Sequence, residues 1–373
     1  MRYKNLLALS CCAVLALGAA ACGSNDSSPS SGGSSSSSTG GSTAKAGGTI
    51  NGAGATFPAP VYQEWAARFK EDQGTTVNYQ PIGSGGGIAQ FSAGTVDFGA
   101  TDSAMKPDEI ATAQKKGSDP VHVPTVLGAV TVSYNVDGIE QGLKLDGETV
   151  ADIFLGKIKK WNDPKIASQN SGTQLPSTSI TVCHRSDESG TTANFTSFLT
   201  DYSSAWKSGP GTDKSVKWPT GTGAKGNDGV AGCVKQTPGA VGYVEQAYAL
   251  QNNFTYASVK NKSGKYVEPT LQSVSAAGEG VKVPADLGIS IINSPNPSAY
   301  PIASQTFLIV YKDMCKAGLD KGTAQRVSAF LNYGLGAGQD VLQQLQYAKL
   351  PDALKTKAQA AVDSLTCNGA PLK

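Results

Sequence analysis

Four short stretches share one chemistry. Gly52-Ala-Gly-Ala-Thr-Phe-Pro, Gly83-Ser-Gly-Gly-Gly, Gly99-Ala-Thr-Asp-Ser and Arg185-Ser-Asp-Glu-Ser-Gly-Thr-Thr combine glycine and hydroxyls with little bulk. Each reads as the end of a strand or the start of a helix. A helix N-terminus carries unpaired N–H donors and about half a positive charge, so it attracts an anion without any basic side chain. Glycine lets the backbone approach closely. Hydroxyls at Thr56, Ser84, Ser189 and Thr191 add side-chain donors, and Arg185 adds a planar, two-pronged cation. Donors that converge from four loops suit a tetrahedral oxyanion better than a flat carboxylate. Any one of these loops alone is ordinary turn or N-cap chemistry; it is the coincidence of all four that points to anion binding.

Asp102 discriminates among anions. A carboxylate in such a site repels its guest unless it accepts a hydrogen bond from a proton the guest carries. Phosphate keeps a proton near neutrality, its second pKa being comparable to the roughly 6 of a phosphoserine. Sulfate and molybdate do not. Pockets built to bond a hydroxyl reject an analogue lacking it by roughly 10⁴ to 10⁵, so the pattern predicts phosphate over sulfate and leaves arsenate undistinguished. Taken singly, Asp102 also reads as a surface or capping acid, and Arg185 as half of a surface salt bridge.

A secreted phosphatase-like hydrolase using Ser84 or Ser189 would need a general base. The two histidines, His122 and His184, lie outside the four loops, and neither a Gly-x-Ser-x-Gly elbow nor a Gly-Lys-Ser/Thr loop occurs. The expectation is a non-enzymatic protein without cofactor or metal. His184 precedes Arg185 in an expected strand and should face away from the site. A surface interaction protein remains an open alternative.

The elements that must position these loops follow from the pattern of the chain. Residues 75–80, 95–99 and 180–183 read as strands, and 61–72 and 192–199 as helices, an alternation that predicts an α/β architecture. At 373 residues the chain exceeds one average domain. Two extended apolar segments, 123–135 and 301–312, read as crossover strands between two lobes. Residues 48–125 and 303–373 would then form lobe I and residues 126–302 lobe II, with the ligand at the hinged boundary.

The start of the chain reads as processing and tethering. Arg2 and Lys4 precede an apolar run, residues 6–18, that is too short to span a bilayer, so residues 1–21 are expected to be a signal peptide. Ala19-Ala20-Ala21-Cys22 resembles the lipobox of bacterial lipoproteins, which makes Cys22 the expected lipid anchor to the membrane. Ordinary cleavage beside an incidental cysteine is the alternative. Residues 22–47 are dominated by serine and glycine and read as a lipidated, flexible tether. Loss of Arg2 and Lys4 takes 31 basic residues to 29, against 29 acidic, and this neutrality argues against nucleic acid as a partner.

Cys11 and Cys12 leave with the leader, so Cys183, Cys233, Cys315 and Cys367 remain beside the anchor. An even count in an exported chain suggests two disulfides. Three pairings are possible. Cys183 with Cys233 and Cys315 with Cys367 is favoured, since each pair then stays within one expected lobe. No Cys-x-x-Cys spacing supports zinc as the rival.

Gly52-Ala-Gly-Ala-Thr-Phe-Pro-Ala-Pro-Val-Tyr, Val96-Asp-Phe-Gly-Ala-Thr-Asp, Leu155-Gly-Lys-Ile-Lys-Lys-Trp-Asn-Asp, Arg185 with Ser189-Gly-Thr, and Gly239-Ala-Val-Gly-Tyr-Val-Glu strongly resemble the phosphate-binding subunit of the bacterial high-affinity phosphate ABC transporter. The likeness runs from about residue 49 to the end. It implies a two-lobed periplasmic-binding-protein fold that buries inorganic phosphate in its cleft. Such a protein delivers phosphate to a membrane permease from the outer face of the cell membrane. Carried over by position, Thr56 and Phe57 would bind through the first loop, Phe57 by its backbone N–H, and Ser84 through the second. Asp102 would accept the phosphate proton, and Arg185, Ser189, Gly190 and Thr191 would close from the other lobe. Asp187 sits where the family places an acid that orients the arginine. Glu188 departs from the small residue frequent there and adds negative charge beside the loop; the four cysteines are not general in the family.

Overall fold

Strand, turn and helix alternate from the first described residues onward. Strand β1 (Gly48–Gly54) feeds helix α1 (Ala59–Gln73), β2 (Thr75–Pro81) feeds α2 (Ser84–Ala93), and β3 (Phe98–Thr101) leads to α3 (Pro107–Gln114). Helix α1 buries Val61, Tyr62, Trp65 and Phe69 along one face and stops at Gly74, whose φ of 75° is left-handed. The strand expected at 95–99 begins three residues later, because Thr95 belongs to the turn that ends α2: its Oγ1 donates to Gln90 O at 3.1 Å.

After the long strand β4 (Pro120–Asn135) the same construction recurs. Strand β5 (Thr181–Arg185) leads to α4 (Gly190–Tyr202), β6 (Thr222–Ala224) to α5 (Gly226–Gln236), and β7 (Ala240–Glu245) to α6 (Gln246–Gln251). Strands β8 (Thr255–Tyr256) and β9 (Ala303–Tyr311) complete a nine-stranded sheet of order β2-β1-β3-β9-β4-β7-β5-β6, with β8 alongside β4. These coordinates are a computed structural model that describes residues 47–372; the expected leader, the Cys22 anchor and the tether up to residue 46 lie outside the described residues.

The sheet is parallel at both ends and antiparallel in the middle. Strand β1 runs parallel to β2 and β3, and β5 parallel to β6 and β7. Between these groups, residues 120–129 of β4 pair with β9 and residues 130–135 pair with β7, so one strand carries the ladder from one half to the other. Strand β9 pairs with β3 and β4, and its register steps at Thr306/Phe307, opposite Pro124, which has no N–H to give. Both β4 and β9 are buried along nearly their whole length, which explains why they read as continuous apolar runs rather than alternating ones.

The disulfides join Cys183 to Cys233 and Cys315 to Cys367, the favoured pairing, with Cα atoms 6.1 and 4.7 Å apart. The first ties β5 to α5, and the second ties the segment after β9 to the C-terminal hairpin. Among the described residues no helix is long and apolar enough to cross a membrane.

Candidate anion-binding site

All four glycine and hydroxyl loops leave the carboxyl ends of parallel strands, where α/β sheets hold their ligands. Thr56 and Phe57 follow β1, Ser84 opens α2 after β2, Asp102 follows β3, and the 185–192 loop joins β5 to α4. The route out of β1 demands glycine: Gly54 has φ 151°, and a Cβ there would lie 2.1 Å from Ala100 O.

The loops from the two halves of the sheet touch. Ser84 Oγ accepts from Gly190 N at 3.0 Å and from Asp102 N at 3.3 Å, and Gly85 N donates to Glu188 O at 3.0 Å. Thr56, Phe57, Ser84, Asp102, Arg185, Ser189 and Thr191 are all buried. Ser189 is the N-cap of α4, its Oγ accepting from Thr192 N at 3.1 Å; its hydroxyl proton is left for another acceptor.

Asp102 is 1% exposed. Its Oδ1 accepts from Thr306 Oγ1 at 2.8 Å, and its backbone carbonyl accepts from Asn194 Nδ2 at 2.8 Å and Gln305 Nε2 at 2.9 Å. Burial pushes the carboxyl up to about 7, against the pull of Thr306, the Arg185 charge and Thr191. The acid therefore holds or shares a proton near neutrality.

Arg185 is 3% exposed, and Asp187 fixes its orientation. Nε donates to Asp187 Oδ1 at 2.7 Å and Nη2 to Oδ2 at 2.5 Å, a bidentate grip, while Gly226 N donates to the same Oδ1 at 3.1 Å. Burial alone would raise the Asp187 carboxyl, but the guanidinium and the Gly226 N–H hold it below the usual range. Two of the three guanidinium nitrogens are thus committed. Nη1 is buried with no partner among the described residues. A buried cationic N–H without an acceptor is costly, so this atom fits an anionic oxygen between the loops.

Glu188 is exposed, and its carboxylate lies against Gly85: a Cβ on Gly85 would meet Glu188 Oε2 at 2.0 Å. The extra negative charge is therefore at the rim. His184 stacks on Trp218, with centroids 4.7 Å apart, and its Nδ1 approaches Arg185 O at 3.0 Å; His122 Nε2 accepts from Met105 N at 3.0 Å. Burial lowers the pKa of both, and His184 meets the fourth loop at a backbone carbonyl rather than at a hydroxyl.

Several residues of the site carry no sequence motif of their own. Thr306 is a hydroxyl inside an apolar strand, and Asn194 and Gln305 are amides reaching the Asp102 carbonyl. Asn227, the second residue of α5, donates from Nδ2 to Thr56 Oγ1 at 2.8 Å. The available signal was a polar residue inside a buried strand (Thr306) or at a strand-to-helix junction (Asn227).

Such a site on such a sheet defines a solute-binding protein, and the sequence model of the PBP superfamily domain matches residues 39–336. The chain is 42% identical over 315 residues to the phosphate-binding protein PstS of Pasteurella multocida strain Pm70, covering 84% of this chain and 89% of that one. It is 34% identical over 359 residues to phosphate-binding protein PstS 3 of Mycobacterium leprae strain TN, covering 93% and 92%. The subatomic-resolution structure of the high affinity periplasmic phosphate-binding protein PfluDING, bound with phosphate at pH 8.5, superposes with a TM-score of 0.69. At 23% identity, over 86% of this chain and 96% of that one, it shows a common fold. The chain belongs to the PstS family of phosphate-binding proteins.

Proposed function

We propose that this chain is an extracytoplasmic substrate-binding protein that captures inorganic phosphate and hands it to the permease of an ABC transporter. The observation that carries the reading is the pairing of a buried carboxyl that burial makes a ready proton acceptor near neutrality, Asp102, with a buried guanidinium N–H that has no acceptor among the described residues, Arg185 Nη1. Phosphate answers both: its oxygens accept from the cation, and its proton satisfies the carboxylate. Thr56, the Phe57 N–H, Ser84, Ser189, Gly190 and Thr191 supply the remaining donors, and Asp187 aims Arg185. Lobe I comprises residues 48–125 and 303–373 and lobe II residues 126–302; they close on the anion by bending near the shared strand β4.

The two disulfides suit an oxidising compartment. A leader of residues 1–21 and lipidation of Cys22 would hold the chain on the outer face of the cell membrane, with residues 22–47 as its tether. Cys22→Ala should then release the protein into the medium. For the ligand, titration calorimetry of the purified chain should give one phosphate per chain. At a hundredfold excess over Kd, phosphate should add about 2.7 kcal/mol of stability. If millimolar phosphate neither releases heat nor raises the melting temperature, the reading is wrong.

A further inference from the structure

Glu245 ends β7 and caps α6, and it is fully buried. Its Oε2 accepts from Ala247 N at 2.8 Å and lies 2.7 Å from Tyr347 Oη. Its Oε1 is buried with no partner among the described residues. The same Tyr347 Oη lies 2.6 Å from the carbonyl oxygen of Phe57.

A phenol has one proton. The carbonyl of Phe57 can only accept, so at 2.6 Å it takes the Tyr347 proton. The remaining contact, at 2.7 Å between Tyr347 Oη and Glu245 Oε2, is too short to be served well by a phenol proton already given to Phe57 O, and a protonated carboxyl supplies the second hydrogen. We propose that Glu245 is held as a neutral carboxylic acid and serves as a positioning residue for the anion site. It donates to Tyr347, which commits the Tyr347 proton to Phe57 O and fastens the Thr56–Phe57 loop to the opposite half of the sheet.

The surroundings agree. The titratable groups that face Glu245 are Tyr347, Tyr248 and Asp102, while Asp228 and Arg185 act on Tyr248 with opposite signs. Arg185, the cation of the site, is tied to Asp187. Burial accordingly pushes the Glu245 carboxyl well above the ordinary range. The loop is gripped at successive points from the same side: Tyr248 Oη donates to Thr56 O at 2.7 Å, and Asn227, whose Oδ1 accepts from Glu245 N at 2.9 Å, donates to Thr56 Oγ1 at 2.8 Å. A neutral acid also avoids a second negative charge beside the anion and Asp102. The sign of the linkage follows: the raised carboxyl supports the loop fully at low pH, and that support fades as pH rises through its raised pKa.

This inference rests on the phosphate reading for its function but not for its chemistry, so two measurements separate them. In protein labelled with ¹³C at glutamate carboxyls, which leaves Asp102 silent, one resonance should keep the chemical shift of a neutral acid well above the ordinary carboxyl range and vanish in Glu245→Gln. Phosphate affinity of Glu245→Gln, whose amide NH₂ can still donate to Tyr347 but cannot accept from Ala247 N, should fall clearly less than that of Glu245→Ala. Glu245→Ala should lose about tenfold or more, as one buried hydrogen bond to a binding loop would predict. Tyr347→Phe should weaken the parent but add little to Glu245→Ala. A carboxyl that titrates in the ordinary acidic range overturns the proposal whether or not the variants fold, and so does a loss in Glu245→Gln as large as in Glu245→Ala. Failure of the parent to bind phosphate would instead sink the functional reading and leave the spectrum standing.

Discussion

Asp102→Asn removes the acid on which selectivity depends, and pH supplies the internal control. In the parent, burial lifts the carboxyl to about 7, so its charged form prevails only above that pH. Sulfate brings no proton and can enter only when Asp102 has taken one up. Its affinity should therefore be flat below about 7 and fall about tenfold for each pH unit above, with one proton absorbed per sulfate bound. Hydrogen phosphate brings its own proton and escapes that penalty, so the gap between the two anions should widen about fivefold from pH 7 to pH 8. Asparagine keeps the volume, carries no charge and donates an N–H. In the variant the sulfate slope should vanish, and phosphate should weaken by about tenfold through loss of one charge-assisted hydrogen bond. Calorimetry with both anions from pH 6 to 8.5, in two buffers of different ionisation enthalpy, reads the affinities and the proton uptake together. A flat sulfate profile in the parent, or the same slope in both proteins, would refute the reasoning.

Two further outcomes follow from the contacts between the halves. A Cβ on Gly190 would lie 2.6 Å from both Asp102 Cβ and Ser84 Oγ and 2.7 Å from Asp102 N, so Gly190→Ala must hold the loops apart. Overpacking of this kind costs about 1 to 3 kcal/mol, and phosphate affinity should fall accordingly; unchanged affinity in calorimetry would show that these loops need not meet. Lys106 Nζ to Asp213 Oδ2 and Lys214 Nζ to Glu109 Oε1, each 2.6 Å, link α3 to the segment whose Lys214 O accepts from Ser189 N. Reversing one charge, Glu109→Lys, should weaken phosphate binding by a few-fold, in line with about 1 kcal/mol for a partly buried pair, and adding Lys214→Glu should restore much of it. Equal affinity in all three proteins would mean that the pairs do not help to close the site.

Local chemistry was legible in the chain itself. The helix starts at Ser84 and Gly190, the N-cap chemistry at Ser189 and the alternation of strands with helices depend on residues a few positions apart. The two bridges were reachable as well, because their sequence separations of 50 and 52 keep each within one continuous stretch of a proposed lobe. What the chain could not declare was the set of partners. Thr306 meets Asp102 across 204 residues and Tyr347 meets Phe57 across 290, because β9 is inserted between β3 and β4 and the C-terminal segment returns beneath the first loop. Strand order decides those meetings, and strand order follows from how all the apolar faces pack at once. Protonation follows from packing too. Asp102 and Glu245 are ordinary acids in sequence, and only the removal of water around them makes proton-holding groups of both.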